Sequence, residues 1–109
     1  MENENNRKFE RYHLNAGQAW FYIDESQTRY TITDISRGGL YFDADQEFTA
    51  GSRINISIDQ MFYTEIEVVR VEAKASGGGY KVAAMFADGP VGTDLISEVL
   101  KFQTGMGAG

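Results

Sequence analysis

Two short clusters carry most of the side chains in this sequence that could recognise a ligand. The first is Arg-x-x-x-Arg, formed by Arg7 and Arg11 in the segment RKFER. Arginine presents a planar fork of N–H donors, so it can bind phosphates and base edges through paired hydrogen bonds and can stack on rings. The second is the segment DISRGG, in which Asp34, Ser36 and Gly39 provide an acceptor, a hydroxyl and a residue without a side chain. These groups favour binding of an anionic, hydrogen-bonding ligand.

Each cluster also has a structural interpretation that needs no ligand. Asp, Ser and Gly are common in turns between strands, because they bond to the local backbone or accept positive φ. The arginines could serve only to keep an N-terminal arm soluble. Considered singly, each cluster favours this simpler interpretation, and their joint occurrence is what points to a ligand.

Together and in this order, the clusters resemble the two motifs of the PilZ domain, a bacterial receptor for the second messenger cyclic di-GMP. That family carries Arg-x-x-x-Arg in an N-terminal arm and Asp/Asn-x-Ser-x-x-Gly at the start of a small β-barrel, and both motifs are intact here. The resemblance implies that the ligand-binding residues are Arg7, Arg11, Asp34, Ser36 and Gly39. It leaves three neighbours as possible secondary contacts, namely Lys8, Arg37 and Gly38.

Two positions depart from the family's usual pattern. The last strand of the family commonly carries a glycine where this sequence has Ala83, and the added methyl group could change the depth of the pocket. Asn6 precedes the arginine motif in place of a third arginine. This second difference favours one molecule of cyclic di-GMP per domain over an intercalated pair.

The composition is that of a globular, acidic chain. Its 109 residues are the length of one domain, and 42% of them are hydrophobic. The net charge of −6 argues against DNA or RNA as a partner, because nucleic acids normally bind to basic protein surfaces. The absence of cysteine and the single histidine, His13, leave no thiolate or multi-histidine metal site. With no apolar run of ~20 residues and no signal peptide, we expect a cytoplasmic protein without membrane contact.

Most of the chain alternates between apolar and polar residues as β-strands do. The clearest case is Ile54, Ile56 and Ile58, which have polar residues between them. The segment 64–75 changes phase at Val68-Val69, which predicts a β-bulge or a barrel corner. Further strands are predicted over residues 16–24, 28–33, 40–44 and 80–86.

Apolar residues at spacings of three and four over residues 94–103 predict a short amphipathic helix. The strands and this helix predict a mainly β fold, a small six-stranded antiparallel barrel with a C-terminal helix. The PilZ resemblance implies the same fold. We expect residues 1–14 to form a flexible arm, residues 15–103 the barrel and helix, and residues 104–109 a disordered tail.

The predicted function is that of a single-domain cyclic di-GMP receptor with no cofactor and no catalytic activity. The arm would fold over the ligand and clamp it against the turn 34–39. The altered surface would then signal to an unidentified protein partner, as the resemblance implies for the regulation of motility or biofilm formation.

Two alternatives are open. One is a PilZ-shaped protein-interaction adaptor that does not use the nucleotide. The other is a barrel that binds single-stranded nucleic acid, which the negative charge disfavours.

Overall fold

The structure, a computed structural model, describes residues 9–15, 19–58 and 62–108, with backbone alone from residue 101 onwards. Its described part contains seven β-strands followed by a helix. They are β1 (Tyr12–His13), β2 (Trp20–Ile23), β3 (Arg29–Ile35), β4 (Gly39–Ala44), β5 (Arg53–Ile58), β6 (Phe62–Ala73), β7 (Tyr80–Phe86) and α1 (Thr93–Ala108).

The strands close into an antiparallel barrel. Pairing runs in the order β3-β2-β5-β6-β7-β4, and β4 pairs again with β3, which closes a ring of six strands. The seventh strand, β1, lies outside this ring beside the end of β3 that does not pair with β2. The predicted six-stranded barrel with a C-terminal helix is therefore confirmed.

The inward side chains of the alternating strands fill the barrel. The rings of Phe21 and Phe42 meet edge to face, with centres 4.8 Å apart. Ile96 and Val99 of α1 are buried in the same core, so the helix covers the barrel with the apolar face that its spacing predicted. Truncating a core side chain of this kind to alanine costs about 2–5 kcal/mol. The largest fully buried residues are Phe21, Phe42, Ile32, Ile35, Leu40, Ile56, Ile58, Ile66, Val68 and Val82.

A β-bulge in β3 decides which face of the barrel carries Asp34. The register against β4 shifts between Ile32 and Asp34, so Thr33 is an extra residue. Strand alternation would otherwise carry Asp34 to the interior with Ile32. The bulge instead places Asp34 opposite Tyr41 on the outer face, and Ile35 returns to the core.

A second bulge, in β6, also changes which face of the barrel the following side chains occupy. The register against β7 shifts between Val68 and Arg70, and Val69 is the extra residue. The phase change predicted at Val68-Val69 is therefore confirmed. As a result Val68 stays in the core, while Arg70 comes to lie opposite Ala83 on the outer face.

The structure adds detail at both ends of the chain. Part of the predicted arm, residues 9–14, includes β1, which pairs with β3, while residues 1–8 are outside the described part. The flexibility of the arm stays a prediction. The helix ends at Ala108 and not at Gln103, and so continues through Gly105 and Gly107 although glycine is a poor helix former. Within the described ranges, no helix has the length and apolar character that a bilayer span requires.

Candidate ligand-binding site

A row of residues crosses the outer face of the barrel where the two bulges place polar groups. Its register runs from Asp34 of β3 to Tyr41 of β4, Ala83 of β7 and Arg70 of β6. These residues line a groove of about 170 Å³. Ligand pockets commonly measure ~300–1,000 Å³. The groove is therefore sized for part of a larger ligand, such as one base or one phosphate group.

Arg11, the second arginine of the first motif, joins this groove from the segment before β1. Its Nη2 atom lies 3.7 Å from Oδ2 of Asp34. Its guanidinium carbon lies 4.1 Å from the centre of the Tyr41 ring, which is a cation–π contact. The Arg11 side chain is nevertheless 49% exposed. It therefore presents an accessible cation at the edge of the groove.

The carboxylate of Asp34 is enclosed by groups that donate hydrogen bonds or carry positive charge. Its side chain is 10% exposed. Oδ2 faces Arg11 and accepts a long hydrogen bond of 3.4 Å from the hydroxyl of Thr33, and Oδ1 contacts Nδ1 of His13. Oδ1 accepts no hydrogen bond of good geometry within the described part of the chain. Because a buried acceptor gains stability when a donor reaches it, Asp34 is suited to receive an N–H group from a ligand.

The far wall of the groove is also cationic. Arg70 and Lys81 line it, and Nε of Arg70 lies 3.3 Å from a carboxylate oxygen of Glu72. With Arg11, the groove gathers three cations around the carboxylates of Asp34 and Glu72, on a chain whose net charge is −6. Salt screens interactions between exposed charges beyond ~8 Å, so an anion in the groove would feel this local excess of positive charge first.

Ser36 is the first residue of the connection between β3 and β4. Its N–H donates to the carbonyl of Gly39 at 2.9 Å, and its Oγ accepts from the N–H of Gly38 at 3.2 Å. The sequence placed this turn at 34–39, whereas β3 continues through Ile35 and the connection begins at Ser36. The hydroxyl of Ser36 keeps its own O–H donor, which a ligand can use.

Gly39 is required by a close contact between two strands. A Cβ atom at this position would lie 2.2 Å from the carbonyl oxygen of Ala84 and 2.9 Å from Cα of Met85. Both are backbone atoms, so they cannot yield unless β4 and β7 separate. The structure therefore gives Gly39 a packing role that shapes the connection, in addition to the ligand contact that the motif predicts.

Arg37 points away from the groove, towards the helix connection and the N-terminal segment. Its Nε donates to the carbonyl of Val91 at 2.8 Å, and its own carbonyl accepts from the N–H of Val91 at 2.8 Å. Its guanidinium carbon lies 5.1 Å from the centre of the Phe9 ring. A second cavity, of about 290 Å³, lies between this segment and α1. Arg37 thus joins the connection, the segment before β1 and the start of the helix.

The structure brings Arg11 and Asp34 together from separate motifs, with Ser36 in the adjoining connection and Gly39 at the start of β4. Two predicted residues, Arg7 and Lys8, lie outside the described part. Among the described residues, no group of His, Cys, Asp and Glu side chains is arranged to hold a metal ion. Strand register also brings to the groove or its edge three residues for which the sequence predicts no role: His13, Tyr41 and Arg70.

A family profile described as the PilZ domain matches residues 5–100, which include both motifs. The chain belongs to the PilZ domain family. No curated protein sequence matches it significantly. The barrel, the extra strand and the C-terminal helix described above are therefore those of a PilZ domain.

Solved PilZ structures share this fold at low sequence identity. The PilZ domain of YcgR from Escherichia coli with c-di-GMP has a TM-score of 0.58 and 14% identity, over 75% of this chain and 78% of that one. The Bacillus subtilis inhibitor of motility MotI/DgrA has a TM-score of 0.68 and 20% identity, over 91% of this chain and 51% of that one. A crystal structure of Escherichia coli YcgR in complex with c-di-GMP has a TM-score of 0.61 and 15% identity, over 94% of this chain and 46% of that one. This chain thus spans about half the length of the last two.

Proposed function

We propose that this PilZ domain is a receptor for cyclic di-GMP and clamps the dinucleotide between its N-terminal arginine segment and the DISRGG connection. The observation that supports this most directly is the pairing of Arg11 with Asp34, which brings one residue of each motif to the same groove. Two structures with the same fold contain c-di-GMP. The ligand residues we propose are Arg7, Arg11, Asp34, Ser36 and Gly39.

The chemistry of cyclic di-GMP matches these groups. The ligand carries two phosphate charges and two guanine bases. An arginine fork can bind a phosphate or the O6 and N7 atoms of guanine, a contact worth about 1–3 kcal/mol of discrimination between bases. The carboxylate of Asp34 can accept from the N–H groups on the other edge of guanine, and the hydroxyl of Ser36 can add a further hydrogen bond. If one base lay in the groove and the phosphates lay towards Arg7 and Arg11, residues of both motifs would contact the ligand.

Binding at this place can change the surface that a protein partner meets. Arg37 is bonded to Val91 just before α1 and contacts Phe9 in the segment that carries Arg11. A movement of that segment onto the ligand is therefore passed to the start of the helix. We propose that the partner, which is a protein, recognises this rearranged surface, and that the domain has no catalytic activity of its own. The inhibitor of motility among the similar structures makes motility a reasonable process to test first.

Calorimetric titration with cyclic di-GMP tests the receptor function. We expect one ligand per domain and a Kd of about 10 μM or tighter. Cyclic di-AMP is the matched control, because adenine offers no O6 acceptor and lacks the N–H pattern that Asp34 would accept. Absence of heat at ligand concentrations up to about 100 μM would remove cyclic di-GMP as the ligand.

A nucleotide-independent adaptor is the second candidate. Val69 and Met85 are apolar yet 52% and 45% exposed on the outer face of the barrel, where a protein partner could cover them. Capture of the same partner with and without cyclic di-GMP distinguishes the two functions. Equal capture in both conditions favours the adaptor, and capture that depends on the nucleotide favours the receptor.

A further inference from the structure

One arginine of the first motif is held by a ring that belongs to neither motif. The guanidinium of Arg11 lies over Tyr41 at 4.1 Å and beside Asp34 at 3.7 Å. Tyr41 is placed there by the bulge at Thr33, which pairs it with Asp34. Its neighbour on the other side is Ala83, whose methyl group is too small to cover the ring. The ring face therefore remains available to Arg11.

The two contacts of Arg11 respond differently to a ligand. Asp34 is the acceptor that the N–H groups of guanine require, so a bound base would replace Arg11 as its ion-pair partner. Tyr41 uses the flat face of the guanidinium and none of its N–H donors. Arg11 can therefore stay on Tyr41 while its donors turn to a phosphate or a base.

We propose that Tyr41 is a positioning residue of the cyclic di-GMP site, which holds the Arg11 guanidinium ready in the free protein and keeps it there in the complex. The proposal rests on the proposed receptor function. The gain is entropic: an arginine loses rotamer freedom when a ligand fixes it, and a side chain fixed beforehand loses less on binding. The role requires a flat aromatic face on Tyr41 and a flat cation at Arg11.

Titration of matched variants tests the ligand side of this proposal. Tyr41→Leu removes the ring and keeps a shorter apolar side chain, and we expect its Kd for cyclic di-GMP to be about 5-fold weaker. Tyr41→Phe keeps the ring, and its Kd should stay within about 2-fold of the original. Tyr63→Leu is the control, because Tyr63 is a 65% exposed tyrosine on β6 that does not line the groove. Its Kd should not change.

Nuclear magnetic resonance tests the position of Arg11 directly. The side-chain protons of Arg11 should be shifted upfield by the ring of Tyr41 in the free protein, and Tyr41→Leu should abolish that shift while Tyr41→Phe retains it. We expect the shift to persist when cyclic di-GMP is added. A merely structural role for Tyr41 would lower thermal stability without linking the ring to the Arg11 resonances.

The outcomes separate this proposal from the receptor function. If the wild type binds but Tyr41→Leu binds equally well or more tightly, Tyr41 does not position Arg11. The same conclusion follows if the Arg11 protons lose their upfield shift on ligand addition. If the wild type gives no heat with cyclic di-GMP, the receptor function fails, and the positioning role fails with it even where the free protein shows Arg11 on Tyr41.

Discussion

Nη2 of Arg11 lies 3.7 Å from Oδ2 of Asp34, and this distance joins the two motifs across the edge of the barrel. Because Arg11 is about half exposed, the ion pair contributes only ~0–1 kcal/mol to stability. A ligand with two negative charges and two guanine edges can therefore replace this pair at little cost. In the free domain the two proposed ligand-binding groups, Arg11 and Asp34, therefore lie side by side through a weak ion pair.

Asp34→Ala should abolish most of the binding while preserving the fold. The substitution removes both carboxylate oxygens that would accept from guanine, and the side chain it shortens lies on the outer face of the barrel. A hydrogen bond to a charged group is worth about 1.5–3 kcal/mol, so we expect the Kd for cyclic di-GMP to rise about 10- to 100-fold. Calorimetry measures the change. Asp24→Ala, in the exposed turn after β2, is the control and should bind normally.

Ala83→Leu should block the groove by volume alone. Ala83 lies between Tyr41 and Arg70 in the row across the outer face, and it is partly exposed there. A leucine would occupy space within a groove of about 170 Å³ without removing a polar group. We expect the Kd to rise at least about 10-fold. Ala73→Leu places the same side chain on an exposed position of β6 outside the groove, and unchanged binding there is the necessary comparison.

Gly39→Ala should destabilise the barrel. The new methyl group would lie 2.2 Å from the carbonyl oxygen of Ala84, and overpacking of this kind costs about 1–3 kcal/mol. Thermal unfolding should show a Tm lowered by roughly 4–8 °C for each kcal/mol. Gly78→Ala is the control, since its added carbon meets only Ser76 Oγ at 3.6 Å. An unchanged Tm for Gly39→Ala would mean that β4 and β7 do not need this close approach.

The strand pattern was largely predictable because it is local. Ile54, Ile56 and Ile58 alternate with polar residues, and their strand forms as expected. The bulge at Val69 was predicted because apolar residues change face there. The bulge at Thr33 was missed, although one signal was present. Ile35 is apolar directly after Asp34, which indicates that the strand has changed phase by that point.

The site was predictable only where a motif carries it. Asp34 and Arg11 follow from the resemblance to the family, and the structure brings them together. The positions of Tyr41 and Arg70 depend on the register of two hairpins, β3-β4 and β6-β7, which are distant from each other in sequence and meet where β4 pairs with β7. Register of this kind is fixed by turns, bulges and core packing together. No single segment of the sequence contains it.

Arg37→Lys should weaken the link between the DISRGG connection and α1. Arg37 Nε donates to the carbonyl of Val91 at 2.8 Å, and lysine has no donor at this point of its side chain. Loss of one such hydrogen bond costs about 1 kcal/mol. Because Arg37 points away from the groove, cyclic di-GMP affinity should stay within about 2-fold of the wild type. Amide exchange over residues 91–100 should become faster, and the change in that exchange on ligand addition should be smaller.

Arg53→Lys is the control, because Arg53 contacts Glu65 and Glu67 on the outer face of β5 and β6 and makes no such link to the helix connection. A ligand-induced change in helix exchange that survives Arg37→Lys in full would show that the signal reaches α1 by another route.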